Sequence, residues 1–246
     1  HWPFCKSKCP YCDFNSHVSD SIDHEKWAEA YLQEMNHVAD MTEGRTLHSI
    51  FFGGGTPSLM KPETVAKIID HAQKRWKFSN NIEITLEANP TSIEAQKLND
   101  FKSAGINRVS IGVQSLRDKD LKFLGREHSA AEAISALKIA HDIFDRVSFD
   151  LIYARPDQSI NDWREELNEA LECSLKSSSA QAQGGGHLSL YQLTIEQGTP
   201  FYVQHKRGDF RIPEQDQAGE FYEVTQEVLS AANMPAYEVS NHAVEG

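Results

Sequence analysis

The chain has 246 residues, 39% of them hydrophobic, and a formal net charge of −12. That length sits at the upper end for one domain and buries a large core, while the acidic balance disfavours a general electrostatic grip on nucleic acid. The longest apolar stretches, 49–52 and 148–152, fall far short of the roughly 20 residues that span a membrane, so no membrane span is expected. His1-Trp2-Pro3-Phe4 leads into cysteines rather than into a basic segment and an apolar run, which argues against a secretory signal and for a reducing cytoplasm.

In chain order, three cysteines crowd one loop at Cys5, Cys9 and Cys12, and His24 and His37 fall on a helical stretch. A strand is predicted at 48–52, then a helix at 62–76 that opens with Pro62, suited to the first helical position. Strands follow at 82–87, 108–113 and 146–152. Helices separate them at 92–104 and 130–142, opened by the capping boxes Thr91-x-x-Glu94 and Ser129-x-x-Glu132, and another follows at 160–173. Residues 174–186 (SLKSSSAQAQGGG) are too polar and repetitive to order themselves and read as a flexible loop. The last strand of this rhythm is expected at 187–193. After Thr194 come a polar segment, a helix at 214–232 and a short run at Tyr237-Glu238-Val239, read as the start of an incomplete C-terminal region covering 194–246. Strands alternating with helices every 25 to 40 residues or so mean βα units, hence an α/β fold built on a parallel sheet.

Four cysteines, three of them within eight residues, do not form the spread pairs of a disulfide framework. Cys5-x-x-x-Cys9-x-x-Cys12 offers three thiolates with reach for three corners of a cubane iron-sulfur cluster, leaving one iron open to a bidentate ligand. The competing reading is a structural zinc site completed by His17 or a remote residue. Cys173, in the helix at 160–173, reads as a small packed residue, and Trp27, Trp76 and Trp163 read as helix packing residues. No histidine is nominated as a ligand.

The cysteine loop, Phe52-Gly53-Gly54-Gly55-Thr56-Pro57-Ser58, Leu86-Glu87-Ala88-Asn89-Pro90, Ser110-Ile111-Gly112-Val113-Gln114-Ser115, Gly125-Arg126-x-His128, Asp150-Leu151-Ile152-Tyr153 and Tyr237-Glu238-Val239-Ser240-Asn241 together resemble the radical S-adenosylmethionine (SAM) superfamily, in its branch of oxygen-independent coproporphyrinogen oxidases. The resemblance implies a partial (β/α)6 barrel over 1–193 whose first strand is truncated. It also implies a [4Fe-4S] cluster on Cys5, Cys9 and Cys12, and SAM bound by Tyr11, Gly53, Gly54, Gly55, Thr56, Glu87, Gln114, Arg126 and Asp150. In such proteins an electron from the reduced cluster cleaves SAM to methionine and a 5′-deoxyadenosyl radical, so an electron donor is implied as a partner. Thr56, Glu87, Gln114, Asp150 and Gln192 are each expected at a strand end, the edge where parallel α/β barrels build their sites.

Within that branch, the oxidases carry a further cysteine two residues after the last cluster cysteine, where this chain has Phe14. Asp13-Phe14-Asn15-Ser16 instead resembles the HemW haem chaperones, which implies haem or porphyrin as cargo and a haem protein as recipient. The alternative is decarboxylation of porphyrinogen propionates. One departure falls beside Asp150: where the family continues Tyr-Gly-Leu-Pro, this chain has Tyr153-Ala154-Arg155-Pro156.

Overall fold

The computed structural model describes residues 1–19, 21–92, 95–175 and 186–244. The chain begins with β1 (Phe4–Cys5), β2 (His17–Val18) and α1 (His24–Met41), then alternates β3 (Thr46–Phe52), α2 (Pro62–Arg75), β4 (Lys77–Ala88), α3 (Ala95–Ser103) and β5 (Arg108–Gln114). It continues through α4 (Asp118–Phe123), α5 (Ala130–Ile143), β6 (Arg146–Tyr153), α6 (Ile160–Leu175), β7 (His187–Gln192), α7 (Pro200–Arg207), α8 (Gln215–Ala231) and β8 (Asn241–Ala243). The strands from β3 to β8 form one six-stranded sheet in sequence order. The first five are parallel and β8 runs antiparallel to β7.

Local sequence accounts for these elements. Val109, Ile111 and Val113 of β5, and Val147, Phe149 and Leu151 of β6, are buried on the face that meets the helices, since side chains alternate along a strand. Each such side chain contributes about 1.5–3 kcal/mol on burial. The intervening residues Arg108, Ser110, Gly112 and Gln114, and Arg146, Ser148 and Asp150, face the other way and make that inner face polar. Proline opens α2, and at α5 both bonds of the Ser129/Glu132 capping box form. The box expected at Thr91 needs Glu94, and the loop expected at 174–186 covers 176–185. Glu94 and residues 176–185 lie outside the described residues.

The strands expected in the core are parallel, and one further strand, β8, joins them from the C-terminal region; the short run Tyr237-Glu238-Val239 forms a bend before it. The Glu238 carboxylate accepts the Ser240 N–H at 2.9 Å and also the Asn241 side-chain amide. That turn reverses the chain, so β8 enters beside β7 from the opposite end. Residues 194–244 thereby supply a strand to this sheet, and Phe221, Val228, Leu229 and Met234 to its core. At the other edge, Trp2 bridges Gly54 in parallel, its N–H donating to Gly53 O at 2.8 Å and its carbonyl accepting from Gly55 N at 2.7 Å.

Candidate functional site

Inside the cysteine loop the Cys12 N–H donates to Cys9 O at 3.1 Å, and the Lys8 ammonium donates to Phe14 O at 3.0 Å and Ser16 O at 3.3 Å. The loop's other fixed points come from elsewhere. Thr56 N donates to Phe4 O at 2.7 Å, which lays β1 along the segment after β3. A Cβ on Gly55 would stand 2.6 Å from Phe4 O and 3.0 Å from Cys5 Sγ, so only glycine lets β1 lie this close. Gly125, at φ 67°, meets the loop's far side, where a Cβ would come 2.5 Å from Pro10 Cδ. On a third side Phe201 N donates to Pro10 O at 3.0 Å, and Phe201 joins Leu124, Ile152 and Leu193 in a second small core against which Tyr11 packs.

The loop closes one wall of a cavity of about 620 Å3. Cys5, Cys9, Cys12, Tyr11, Gly54, Gly55, Thr56, Glu87, Gln114, Arg126 and Asp150 all line it. Gly53 is absent from that lining, and its carbonyl accepts the Trp2 N–H. Glu87 and Gln114 stand at the ends of β4 and β5, as expected of that edge, and Gln114 ends its strand at φ 72°. Thr56 follows β3 by four residues, and Asp150 lies inside β6, because Leu151, Ile152 and Tyr153 prolong the strand.

Arg126 spans the cavity. Its Nη1 donates to Cys9 Sγ at 3.3 Å, and its Nη2 donates to Gly112 O at 2.7 Å and to the Asn89 carbonyl. Its Nε is buried and meets no hydrogen-bond partner among the described residues. Opposite stand two carboxyl groups. Glu87 accepts the Gly54 N–H at 3.1 Å, and burial raises its pKa. Asp150 is pushed up to about 7, first by burial and then by the Glu87 charge, with Arg126 and Arg108 pulling the other way. Burial also raises the Cys12 thiol and the Tyr11 hydroxyl, and it lowers His128 to about 4, where Arg126 adds its repulsion. A neutral His128 therefore donates Nε2–H to Val113 O at 3.0 Å.

Sequence reasoning quoted Asn89 within a motif without giving it a role. In the fold its amide joins Thr56 Oγ1, at 3.1 Å, to Arg126. Ser240, quoted within a motif, and Tyr191, within the strand expected at 187–193, also stand on the cavity wall, neither having been given a role. At Gly55 the closest neighbours are the Phe4 backbone and then Cys5 Sγ.

Residues 1–170 match the sequence profile of the Radical SAM superfamily. The chain belongs to the radical SAM superfamily. Membership implies a [4Fe-4S] cluster and SAM. The chain is 42% identical over 264 residues to radical S-adenosyl methionine domain-containing protein 1, mitochondrial, of Dictyostelium discoideum, covering 99% of this chain and 57% of that protein. It is 38% identical to heme chaperone HemW of Haemophilus influenzae, covering 100% of this chain and 62% of that protein. The fold matches the coproporphyrinogen III oxidase HemN of Escherichia coli with a TM-score of 0.82 at 24% identity, over 99% of this chain and 54% of that one. This radical SAM chain stands in the coproporphyrinogen oxidase-like branch, near HemW, and spans somewhat more than half the length of these relatives.

Among the described residues no group of three or more His, Cys, Asp or Glu converges on a single ion as a zinc site requires. A cubane makes a different demand, since each thiolate takes its own iron.

Proposed function

We propose that this chain is the SAM-binding core of a HemW-type protein that binds haem and passes it to a recipient haem protein. The observation that carries the reading is one cavity lined by all three loop cysteines and by Tyr11, Gly54, Gly55, Thr56, Glu87, Gln114, Arg126 and Asp150, in a sequence 38% identical to a heme chaperone. Cys5, Cys9 and Cys12 are the proposed ligands of a [4Fe-4S] cluster.

The residues present fit SAM. Arg126 Nε is a buried donor without a partner among the described residues, suited to a ligand carboxylate, while Glu87 and Asp150 face the same space and complement an ammonium or sulfonium. Gln114 adds an amide able to pair with ribose hydroxyls. When bound, the reduced cluster and SAM supply one-electron chemistry at the sulfonium. The protein's part is to orient and to keep water out. Phe201 and Tyr11 shield the loop on the side of the small core, and Arg126 holds Cys9 in place through its N–H···S bond.

Phe14 stands exposed at the cavity rim, without a thiol at that position, which supports the chaperone reading over porphyrinogen decarboxylation. All four cysteines are free, in keeping with a reducing compartment such as the cytoplasm. No helix among the described residues is long and apolar enough to cross a membrane.

The test uses full-length protein, reconstituted anaerobically with iron and sulfide. We expect a brown protein that takes up SAM, binds haem in a spectral titration and leaves coproporphyrinogen III unchanged in the presence of SAM and dithionite. Protoporphyrinogen formed alongside 5′-deoxyadenosine would make it an oxidase, and a colourless zinc protein would end the cluster assignment.

A further inference from the structure

The segment Tyr237-Glu238-Val239-Ser240-Asn241 carries no part of the function argued so far. Tyr237 is 64% exposed and Val239 68%, yet the bend that bears them is fixed: Tyr237 N donates to Asn241 O at 3.1 Å, and Glu238 accepts the Ser240 N–H at 2.9 Å. The Tyr237 hydroxyl lies 2.8 Å from His187 Nε2, with the two ring centres 5.8 Å apart. His187 opens β7 opposite Ser148, on the inner face of the sheet, and its Nδ1 is buried without a hydrogen-bond partner among the described residues. Burial, then the nearby Arg108 charge, lowers His187 to about 4, so the ring is neutral and carries a single N–H. A buried N–H without an acceptor is rarer than a lone pair without a donor, which puts that proton on Nε2, donated to the Tyr237 oxygen. The phenol's own proton then points away from His187, to the open side.

A phenol oxygen that accepts a fixed N–H on one side and faces solvent on the other is placed to bind a hard trivalent iron, and tyrosine is among the residues that ligate haem iron in proteins. Building on the reading of the protein as a haem carrier, we propose that Tyr237 is the axial ligand through which it takes up ferric haem, with His187 as the positioning residue that holds the ligating oxygen. On binding, an Fe–O bond forms as a water leaves the iron, the phenol O–H bond breaks and its proton goes to solvent; the iron stays ferric and no electron moves. Burial raises the Tyr237 hydroxyl above its ordinary value, with Arg108 pulling it down and Glu238 and Glu83 pushing it up, so the free side chain is a phenol that ionises only against a metal. Carboxylates of the cargo have a partner close by. Arg146 opens β6, one strand or about 5 Å across the sheet from β7, and among the described residues it uses one of its N–H donors, on Glu83 at 3.4 Å. Arg108, in register beside it, is already engaged by Thr85 at 3.3 Å and Ser148 at 2.9 Å.

The test titrates full-length, cluster-loaded protein with ferric protoporphyrin IX and reads the complex by resonance Raman spectroscopy. The native complex should show phenolate ring modes that shift when the protein carries ring-deuterated tyrosine. In Tyr237→Phe those modes should vanish. His187→Leu should keep a tyrosine but move the iron–phenolate stretch and weaken binding by about 10–100-fold, as loss of an outer hydrogen bond does at other metal sites. His187→Gln retains a side-chain N–H and should recover part of that loss. Tyr237 is exposed, so its hydroxyl can be removed without touching the core, and circular dichroism checks that the fold is kept. A haem complex without phenolate modes, or one whose spectrum is the same in Tyr237→Phe, overturns the proposal and leaves the haem reading standing. A folded, cluster-loaded protein that takes up no haem at all overturns both.

Discussion

The departure at Tyr153-Ala154-Arg155-Pro156 puts a cation where the family has leucine, and the fold makes its consequence measurable. Arg155 is 1% exposed, with Nη2 at 2.5 Å from Glu166 Oε2 and 3.0 Å from Asp120 Oδ2, and Nη1 at 2.8 Å from Ile152 O. Glu166, equally buried, also accepts from Ser115 Oγ at 2.6 Å and from Leu116 N at 2.7 Å. One carboxylate thus ties the turn after Gln114 to the turn after β6. Removing one partner of such a pair costs about 3–5 kcal/mol, because the other is left charged and buried. We expect Arg155→Leu to lose about 4 kcal/mol and about 8–16 °C in Tm for a chain of this size. Glu166→Leu should lose at least as much, since it orphans the Ser115 hydroxyl and Leu116 N–H as well. The double variant should cost less than the sum, with a coupling of about 2 kcal/mol or more. Urea unfolding followed by circular dichroism measures all three. Single losses below about 1 kcal/mol, or strict additivity, would refute the reasoning and make the pair an incidental contact.

Ala154 has φ 56°, a left-handed conformation costing a non-glycine residue about 1 kcal/mol, so Ala154→Gly should raise stability by a few tenths to about 1 kcal/mol in the same assay. Asp150→Asn should change stability in a pH-dependent way. The folded-state pKa of Asp150 is raised, so its favourable contribution is complete below about pH 4 and is lost as pH rises through about 7. The neutral variant should therefore gain on the native protein between pH 4 and 8, by about 1–3 kcal/mol at the upper end, and a difference that is constant with pH would contradict the raised pKa. Gly125→Ala must displace Pro10 or the turn, at φ 67° and with 2.5 Å to Pro10 Cδ. Its iron content after reconstitution should fall to under about half of native while the circular dichroism spectrum is kept, given the strain of a left-handed alanine and an overlap at the loop.

What could be read from the amino acids follows the range of the signal. The spacing of Cys5, Cys9 and Cys12 and the polar residues Glu87 and Gln114 closing apolar runs are local patterns, and the fold keeps them where expected. Asp150 was expected at a strand end and lies inside one, since nothing in a single sequence says where an apolar run such as 151–153 stops pairing. The ties that shape the cavity join distant residues: Asn89 to Thr56 and Arg126, Glu166 to Ser115, and Ser189 to Asn241. No periodicity links such partners. Phe201 and Phe210 were lost in a segment that reads as polar, because two scattered aromatics make no helical or strand pattern, although they build a core with Phe123.

The cysteine loop shows why that second core matters to the site. A loop held from within mainly by Cys12 N on Cys9 O and by the Lys8 ammonium on Phe14 O and Ser16 O is ordered largely by its surroundings, and the conformational entropy of fixing it is about 1–2 kcal/mol per residue. Here β1 on the Gly55 backbone, Gly125 under Pro10 and Phe201 over Pro10 supply that order from three separate parts of the chain. The wall opposite is β7 with the turn before β8, which comes last in the sequence. The three thiols therefore owe their arrangement to the folded sheet and not to their spacing alone. A cluster binding there meets a loop already ordered by folding, with Phe201 as the support that comes from the C-terminal region.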